Sequence, residues 1–280
     1  MFILGANNVG NAIGTAYASK AASYKGLLIL FSVSVIIGSI FAKNVGNTVN
    51  SISSNALISL LISSLVMTIS TYKKVPISLH TIIVCSLIGL NFSSSNLKVF
   101  FEILLSWIFS PIIAIIIAYV FYLTYEKIKI PIFKKLSIIR TLLLLSAGIV
   151  AFNLGSNDLP TILGTFTTSQ TIYLIGAVFL CLGAYLYGNK ISETFAMITN
   201  LSVTSAFIAQ LSGGLAVIIF TALGMPVSTT HAIVGGILGV GLTKGIKTIK
   251  WSVFKKIIFW WVVAPIIALI IGFIIKKKLM

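Results

Sequence analysis

The chain has 280 residues, of which 58% are hydrophobic and only 9% charged, with a mean hydropathy of +1.11. Soluble domains carry about 25% charged residues, so this composition excludes soluble enzymes, nucleic-acid modules and disulfide scaffolds and indicates a membrane protein. The formal charge of +16 is a matter of position: ten of the twenty basic residues lie in Lys127 to Arg140 and Lys244 to Lys256, and three more are Lys276, Lys277 and Lys278. That is how cytoplasmic loops are marked.

Along the chain, Met1–Leu4 is too short to be the hydrophobic region of a signal peptide. Apolar segments follow at 27–42, 56–72, 75–91, 99–124, 138–154, 171–187, 201–224, 227–243 and 257–275. All are predicted helices, because an unpaired strand cannot satisfy its backbone in lipid, and the length allows about eight to ten crossings. Segments 75–91 and 227–243 are short, begin near a proline and carry Ser, Thr and His, so half-helices or re-entrant segments are expected there. Cys85 and Cys181 sit inside apolar stretches and read as plain membrane-helix residues. Trp107 with Pro111, and Trp261 with Pro265, share one spacing and read as interface anchors and helix kinks.

An internal duplication organises the chain. At a shift of 150 residues GANNVGNAIGT (5–15) falls on GSNDLPTILGT (155–165), and PISLHTIIVCSLIG (76–89) falls on PVSTTHAIVGGILG (226–239). Asn7 matches Asn157, Asn8 stands opposite Asp158, and Pro76 and Ser78 match Pro226 and Ser228. Gly38/Gly188 and Asn50/Asn200 coincide between them. Small residues alone are common in membrane helices, where they let backbones approach. Polar pairs and a Pro-x-Ser step in one register are not explained that way, and paired Gly/Pro-interrupted segments in corresponding halves point to a secondary transporter's binding site.

The chemistry of these motifs is specific. Ser228 is placed as an N-cap, and a helix N-terminus with the hydroxyls of Ser228, Thr229 and Thr230 suits an oxyanion; Ser78 begins the second copy of that site. Asp158 is one of four acids, with Glu102, Glu126 and Glu193, and the one inside a repeated motif. An intramembrane carboxylate reads by default as part of an ion or proton pathway, and neighbouring Asn oxygens are hard ligands for a small cation. Pro160 predicts a helix starting there, so Asp158 is open to a capping role as well. His231 aligns with Thr81 and His80 with Thr230; each is open to two readings, a proton or anion contact and a histidine bonded between helices.

These residues resemble the inorganic phosphate transporter (PiT-type) family. GANNVGNAIGT looks like its GANDVANA-type signature, GSNDLPTILGT like the second copy, and MPVSTTHAIVGGILGVGL (225–242) closely matches its PVSTTH segment. The resemblance implies an all-α, polytopic integral membrane protein of the cell membrane, not an enzyme. It further implies two inverted repeats, 1–130 and 141–280, joined by a basic cytoplasmic connection at 131–140, with broken or re-entrant half-helices at the midplane. It implies cation-coupled movement of inorganic phosphate by alternating access, with sodium or a proton as the coupling ion and no cofactor. Carried over by residue, Ser78, Ser228, Thr229, Thr230, Asn7 and Asn157 would bind substrate, and Asp158, Asn7, Asn11 and Asn157 would serve cation coupling. Asn8 stands where the family has Asp, Gly10 replaces Ala, Pro160-Thr161 replaces Ala-Asn, and Ser78-Leu79-His80-Thr81 replaces Ser-Thr-Thr-His. The second motif is preceded by an apolar helix and the first only by Met1–Leu4, which leaves two alternatives, a natural start upstream of Met1 or a shortened member. Sulfate or another oxyanion, a non-transporting scaffold and a membrane enzyme acting on lipid phosphates are the rival readings. The bilayer and phosphate are the expected partners and nucleic acid is not; assembly is left open between a monomer and a homodimer.

Overall fold

The computed structural model describes residues 1–279 except 54, 73–76, 128–131 and 189–201, and gives the backbone alone for 71, 94, 95, 132–135 and 279. Among the described residues the chain is helical throughout: α1 (Phe2–Ala18), α2 (Tyr24–Ser39), α3 (Lys43–Ser51), α4 (Ala56–Tyr72), α5 (Leu79–Leu90), α6 (Ser94–Glu126) and α7 (Ile132–Asn153). After a π turn at Leu154–Asp158 come α8 (Leu159–Leu163), α9 (Gln170–Tyr187), α10 (Val203–Ala222), α11 (Thr229–Thr243) and α12 (Trp251–Leu279). Each of the nine apolar segments corresponds to one of these helices. Pro76, Glu193 and Asn200 lie outside the described residues, and residues 132–140 of the basic segment form the opening turns of α7.

Lengths sort the helices. The spans 96–126, 136–163, 170–187, 203–222 and 251–278 are long and apolar enough to cross a membrane, and α2 with α3 forms a sixth candidate bent by 63°. The helices α5 and α11, with 12 and 15 residues, fall short of the roughly 20 a bilayer requires and are the half-helices expected from their sequence. Both are almost wholly buried. So is α1 from Leu4 to Ala16, a helix that hydropathy had not singled out because its buried face is built from Asn, Gly and Ala.

The packing exchanges partners between the two copies. The half-helix α5 packs on α12 and α11 packs on α6, while α1 lies against α9 and α7 against α2. Glycines mark the crossings. A Cβ on Gly89 would stand 2.3 Å from the Leu269 carbonyl oxygen, and one on its counterpart Gly239 would stand 2.6 Å from that of Ile115. Gly183 meets the Phe2 carbonyl and Gly38 that of Phe152, at 1.9 and 2.0 Å from an added Cβ. Phe2 and Phe152 are repeat partners, so the structural mate of Gly38 is Gly183. This corrects the Gly38/Gly188 pairing of the plain 150-residue shift: the register slips by five residues in this helix, and Gly188 instead fits against Val9 and the Tyr24 hydroxyl. Backbone contact at this distance is what lets helices associate in lipid, where no hydrophobic drive favours one helix face over another.

Candidate functional site

The four motif segments converge on Asp158, which is 1% exposed. The backbone around it is helical, not broken: the chain passes from α7 through the π turn into α8, and Asp158 itself is in αR with no capping bond from its side chain. A helical element does open beside Pro160, α8 at Leu159, but it continues from the π turn without a break; the capping alternative is overturned, since the Asp158 side chain makes no capping bond. The extra residue of a π turn widens one loop of the helix, a deformation frequent at functional sites, and Pro160 follows without interrupting because Asn157 and Asp158 already lie in helical conformation.

Two donors hold the carboxylate. Asn8 Nδ2 donates to Oδ2 at 2.7 Å and Thr229 Oγ1 donates to Oδ1 at 2.6 Å. His80 Nε2 stands 3.4 Å from Oδ1, within ion-pair reach but without hydrogen-bond geometry. Asn8 and Asp158 are mates in the repeat, and they face each other. In the same layer Asn11 Nδ2 donates to Thr230 Oγ1 at 3.0 Å, so each Asn-rich motif reaches the start of α11.

The half-helix starts are built as the sequence suggests. Ser228 in extended conformation accepts from His231 N at 3.1 Å, and Ser78 accepts from Thr81 N at 3.5 Å. Capping uses the serine oxygen as acceptor; the hydroxyl proton remains a donor. Thr229, by contrast, has committed its proton to Asp158. Asn157 is committed at both ends: its amide donates to Thr221 Oγ1 and the Met225 carbonyl, at 2.8 and 3.0 Å, and its oxygen accepts from Val227 N at 3.0 Å. It pins the loop that delivers Ser228. Asn7 is buried at 2% exposure in the same helix as Asn8 and Asn11.

Against known proteins, the model of the phosphate transporter family matches residues 4–272. The chain belongs to that family. It is 78% identical over 279 residues to a candidate phosphate permease of Methanocaldococcus jannaschii, covering all of this chain and 94% of that protein. It is 26% identical over 295 residues to a sulfate permease of Bacillus subtilis, covering 97% and 83% of the two chains. A solved structure described as the sodium-dependent phosphate transporter superposes with a TM-score of 0.88 at 20% identity, over 99% of this chain and 95% of that one; at that identity the likeness establishes the fold. The phosphate transporter family comprises transporters and not enzymes, and its members' fold accords with a multi-pass protein of the cell membrane.

Within this phosphate transporter family member, several residues take places at the site that their sequence reading left open or gave differently. His80 is drawn to Asp158 and not simply bonded between helices; its one sequence signal was standing in the Thr230 column. Gln210 in α10 bonds to the Ala12 carbonyl and receives the Thr15 hydroxyl, and a lone buried amide in an apolar helix was the cue. Asn8, read as a lost carboxylate, is the partner that orients the remaining one. The tryptophans are not interface anchors: Trp107 is 6% exposed and donates to the Pro226 carbonyl at 3.2 Å, while Trp261 stacks on His231 with ring centroids 3.8 Å apart. The Pro226 carbonyl also accepts from Ser106 Oγ at 3.3 Å, so α6 holds the start of α11 by two donors. Among the described residues no three His, Cys, Asp or Glu side chains converge, so a cation at this site would meet one carboxylate and neutral oxygens.

Proposed function

We propose that this chain carries inorganic phosphate across the cell membrane together with a cation, by alternating access. One observation carries the reading: the one buried carboxylate among the described residues, Asp158, is held jointly by the first motif through Asn8 and by the start of α11 through Thr229. A cation bound there acts on the same helix start that would receive the anion, so the two ligands share one electrostatic device. Phosphate lies at the capped N-termini of α5 and α11, where helix dipoles and first-turn amides favour an anion. Ser78, Ser228 and Thr230 donate to it, since each accepts a bond in the structure and keeps its own proton. Thr229 and Asn157 position the half-helix, and Asn7, Asn11 and Asp158 line the cation side.

The halves 1–130 and 141–280 act as inverted repeats rocking about this site. The exchanged packing of α5 on α12 and α11 on α6, and the mating of Asn8 with Asp158, support that symmetry. Sodium as coupling ion is supported by the solved relative's description. A proton is favoured by one feature, His80 Nε2 at 3.4 Å from Asp158 Oδ1, the place a proton carrier beside the carboxylate would occupy. The sulfate permease among the relatives keeps sulfate as the competing substrate, because neutral donors suit both tetrahedral anions.

The test is uptake of labelled phosphate into proteoliposomes under an imposed sodium gradient, an imposed proton gradient, or neither, with unlabelled sulfate as competitor. Gradient-driven accumulation that sulfate competes weakly supports the reading. Absence of uptake under every gradient refutes it, and stronger competition by sulfate than by phosphate reassigns the substrate.

A further inference from the structure

The helix α3 has two unlike faces. Ala42, Val45, Val49 and Ile52 are buried, whereas Lys43, Asn44, Asn47 and Ser51 are exposed. That spacing is helical, and a face of Lys, Asn and Ser is costly to leave against acyl chains, so α3 separates water from what lies beneath it. Beneath it is the second motif. Gly46 and Gly164 touch backbone to backbone: a Cβ added to Gly164 would stand 2.8 Å from Gly46 Cα. Gly46 also lies against Pro160 and the Tyr173 hydroxyl, and Pro160 is two residues from Asp158.

What holds α3 differs from what holds α2. The helix α2 is fixed by backbone crossings: a Cβ added to Gly38 meets the Phe152 carbonyl at 2.0 Å, and one on Gly155 meets that of Val35 at 2.1 Å. The chain then bends by 63° into α3, through turn bonds from Ile40 N to the Ile37 carbonyl and from Phe41 N to that of Gly38. Beyond the bend, side-chain donors reach main-chain carbonyls of the second copy. Thr48 Oγ1 donates to Gly224 at 2.7 Å and Asn50 Nδ2 to Gly164 at 2.9 Å, and just past the helix Ser53 Oγ donates to Thr165. Gly224, at φ +70°, opens the loop that Asn157 pins through Met225 and Val227. All three donors belong to residues that keep some exposure, and water replaces such neutral bonds at small net cost.

We propose that α3 is a gate of this site, hinged at residues 40–42. When its tethers break it swings off Pro160 and Gly164, admits water to the side of Asp158, and frees the loop that delivers Ser228. The proposal rests on the transport reading, in which the site must open to water, and it names the element that opens. A few residues at the end of a fixed helix are what a hinge of this kind needs. The glycine contact suits the motion, because with no side chain interlocked between Gly46 and Gly164 the helix leaves and returns without repacking.

The experiment follows the reaction of Val49→Cys, on the buried face of α3, with a charged methanethiosulfonate in the aqueous phase. Val35→Cys in α2, equally buried, is the reference and reports any general loosening; peptide mapping separates both from Cys85 and Cys181. Val49→Cys is expected to react at least tenfold faster than Val35→Cys. Adding Thr48→Ala and Asn50→Ala, which removes two tethers, should speed it by about a further tenfold and leave Val35→Cys unchanged. A disulfide between Ser53→Cys and Thr165→Cys should stop phosphate uptake, and reduction should restore it. Equally slow labelling at positions 49 and 35, with and without the tethers, overturns the proposal, as does full uptake with α3 cross-linked. Absence of uptake in the unaltered protein refutes the transport reading instead, and the labelling rates then decide whether α3 swings.

Discussion

Replacing Asp158 by Asn separates stability from coupling. The carboxylate makes two charge-assisted bonds, from Asn8 at 2.7 Å and Thr229 at 2.6 Å, each contributing about 1.5–3 kcal/mol. An amide at position 158 keeps its oxygen for Thr229 and turns its NH₂ toward Asn8. Asn8 Oδ1 has no hydrogen-bond partner among the described residues, so a flip of the Asn8 amide presents that oxygen and restores the second bond. Two neutral bonds of about 1 kcal/mol each then replace two charged ones, a loss of roughly 1–4 kcal/mol. Removing the charge relieves a burial cost that is itself several kcal/mol. The terms cancel to within a few kcal/mol, so Asp158→Asn should melt in detergent close to the parent or above it. Coupling behaves differently: an interaction between two ligands typically amounts to about 5–150-fold in affinity, and with the carboxylate gone that factor should collapse toward one. Phosphate binding titrated with and without sodium, and at two pH values, gives the factor directly, and proteoliposome uptake gives its consequence. Full cation dependence in Asp158→Asn refutes the coupling role. A large loss of melting temperature refutes the amide-flip argument and makes the carboxylate structural.

Three further outcomes are expected. Asn8→Asp places two carboxylates in contact, where a like charge raises the cost of ionising both; its melting temperature should fall without sodium and recover as sodium is added, and a sodium-independent value would count against a cation site there. Ser228→Ala and Ser23→Ala each remove a helix cap, worth about 0.5–2 kcal/mol, since Ser23 accepts from Gly26 N as Ser228 does from His231 N. Only Ser228→Ala should also weaken phosphate binding, by about tenfold for a lost hydrogen bond, and equal phosphate affinity in both variants would remove Ser228 from the anion site. Gly183→Ala and Gly38→Ala push a Cβ into a backbone carbonyl and should destabilise by about 1–3 kcal/mol. Gly148→Ala, whose nearest neighbours are the Ser34 hydroxyl at 3.3 Å and a leucine methyl, should be neutral or gain up to about 1 kcal/mol; the ranking is read from thermal melts, and parity of all three would contradict the register.

Much of this was legible in one dimension because it is local. Ser78 and Ser228 cap their helices where an extended serine precedes an apolar run, and the shortness of α5 and α11 follows from counting apolar residues. The 150-residue register located the polar motifs because duplicated chemistry leaves its spacing in the chain. Contacts across the molecule were another matter. The register slip that makes Gly183 the mate of Gly38 appears only where backbones touch, since glycines of other roles fall on the simple shift by coincidence. The continuous helix through Asp158 was hidden because Pro160 normally marks a start and a π turn has no sequence signature.

The sequence by itself determined a helical membrane protein whose four polar motifs recur at one spacing, because hydropathy and repetition are properties of the chain. Only the tertiary structure decided that Asp158 is held by its own repeat mate Asn8, that His80 stands beside it, and that Trp107 and Trp261 turn inward onto the half-helix starts. Those assignments depend on which side chains come into contact in the interior, and that is set by the crossing of helices far apart in sequence.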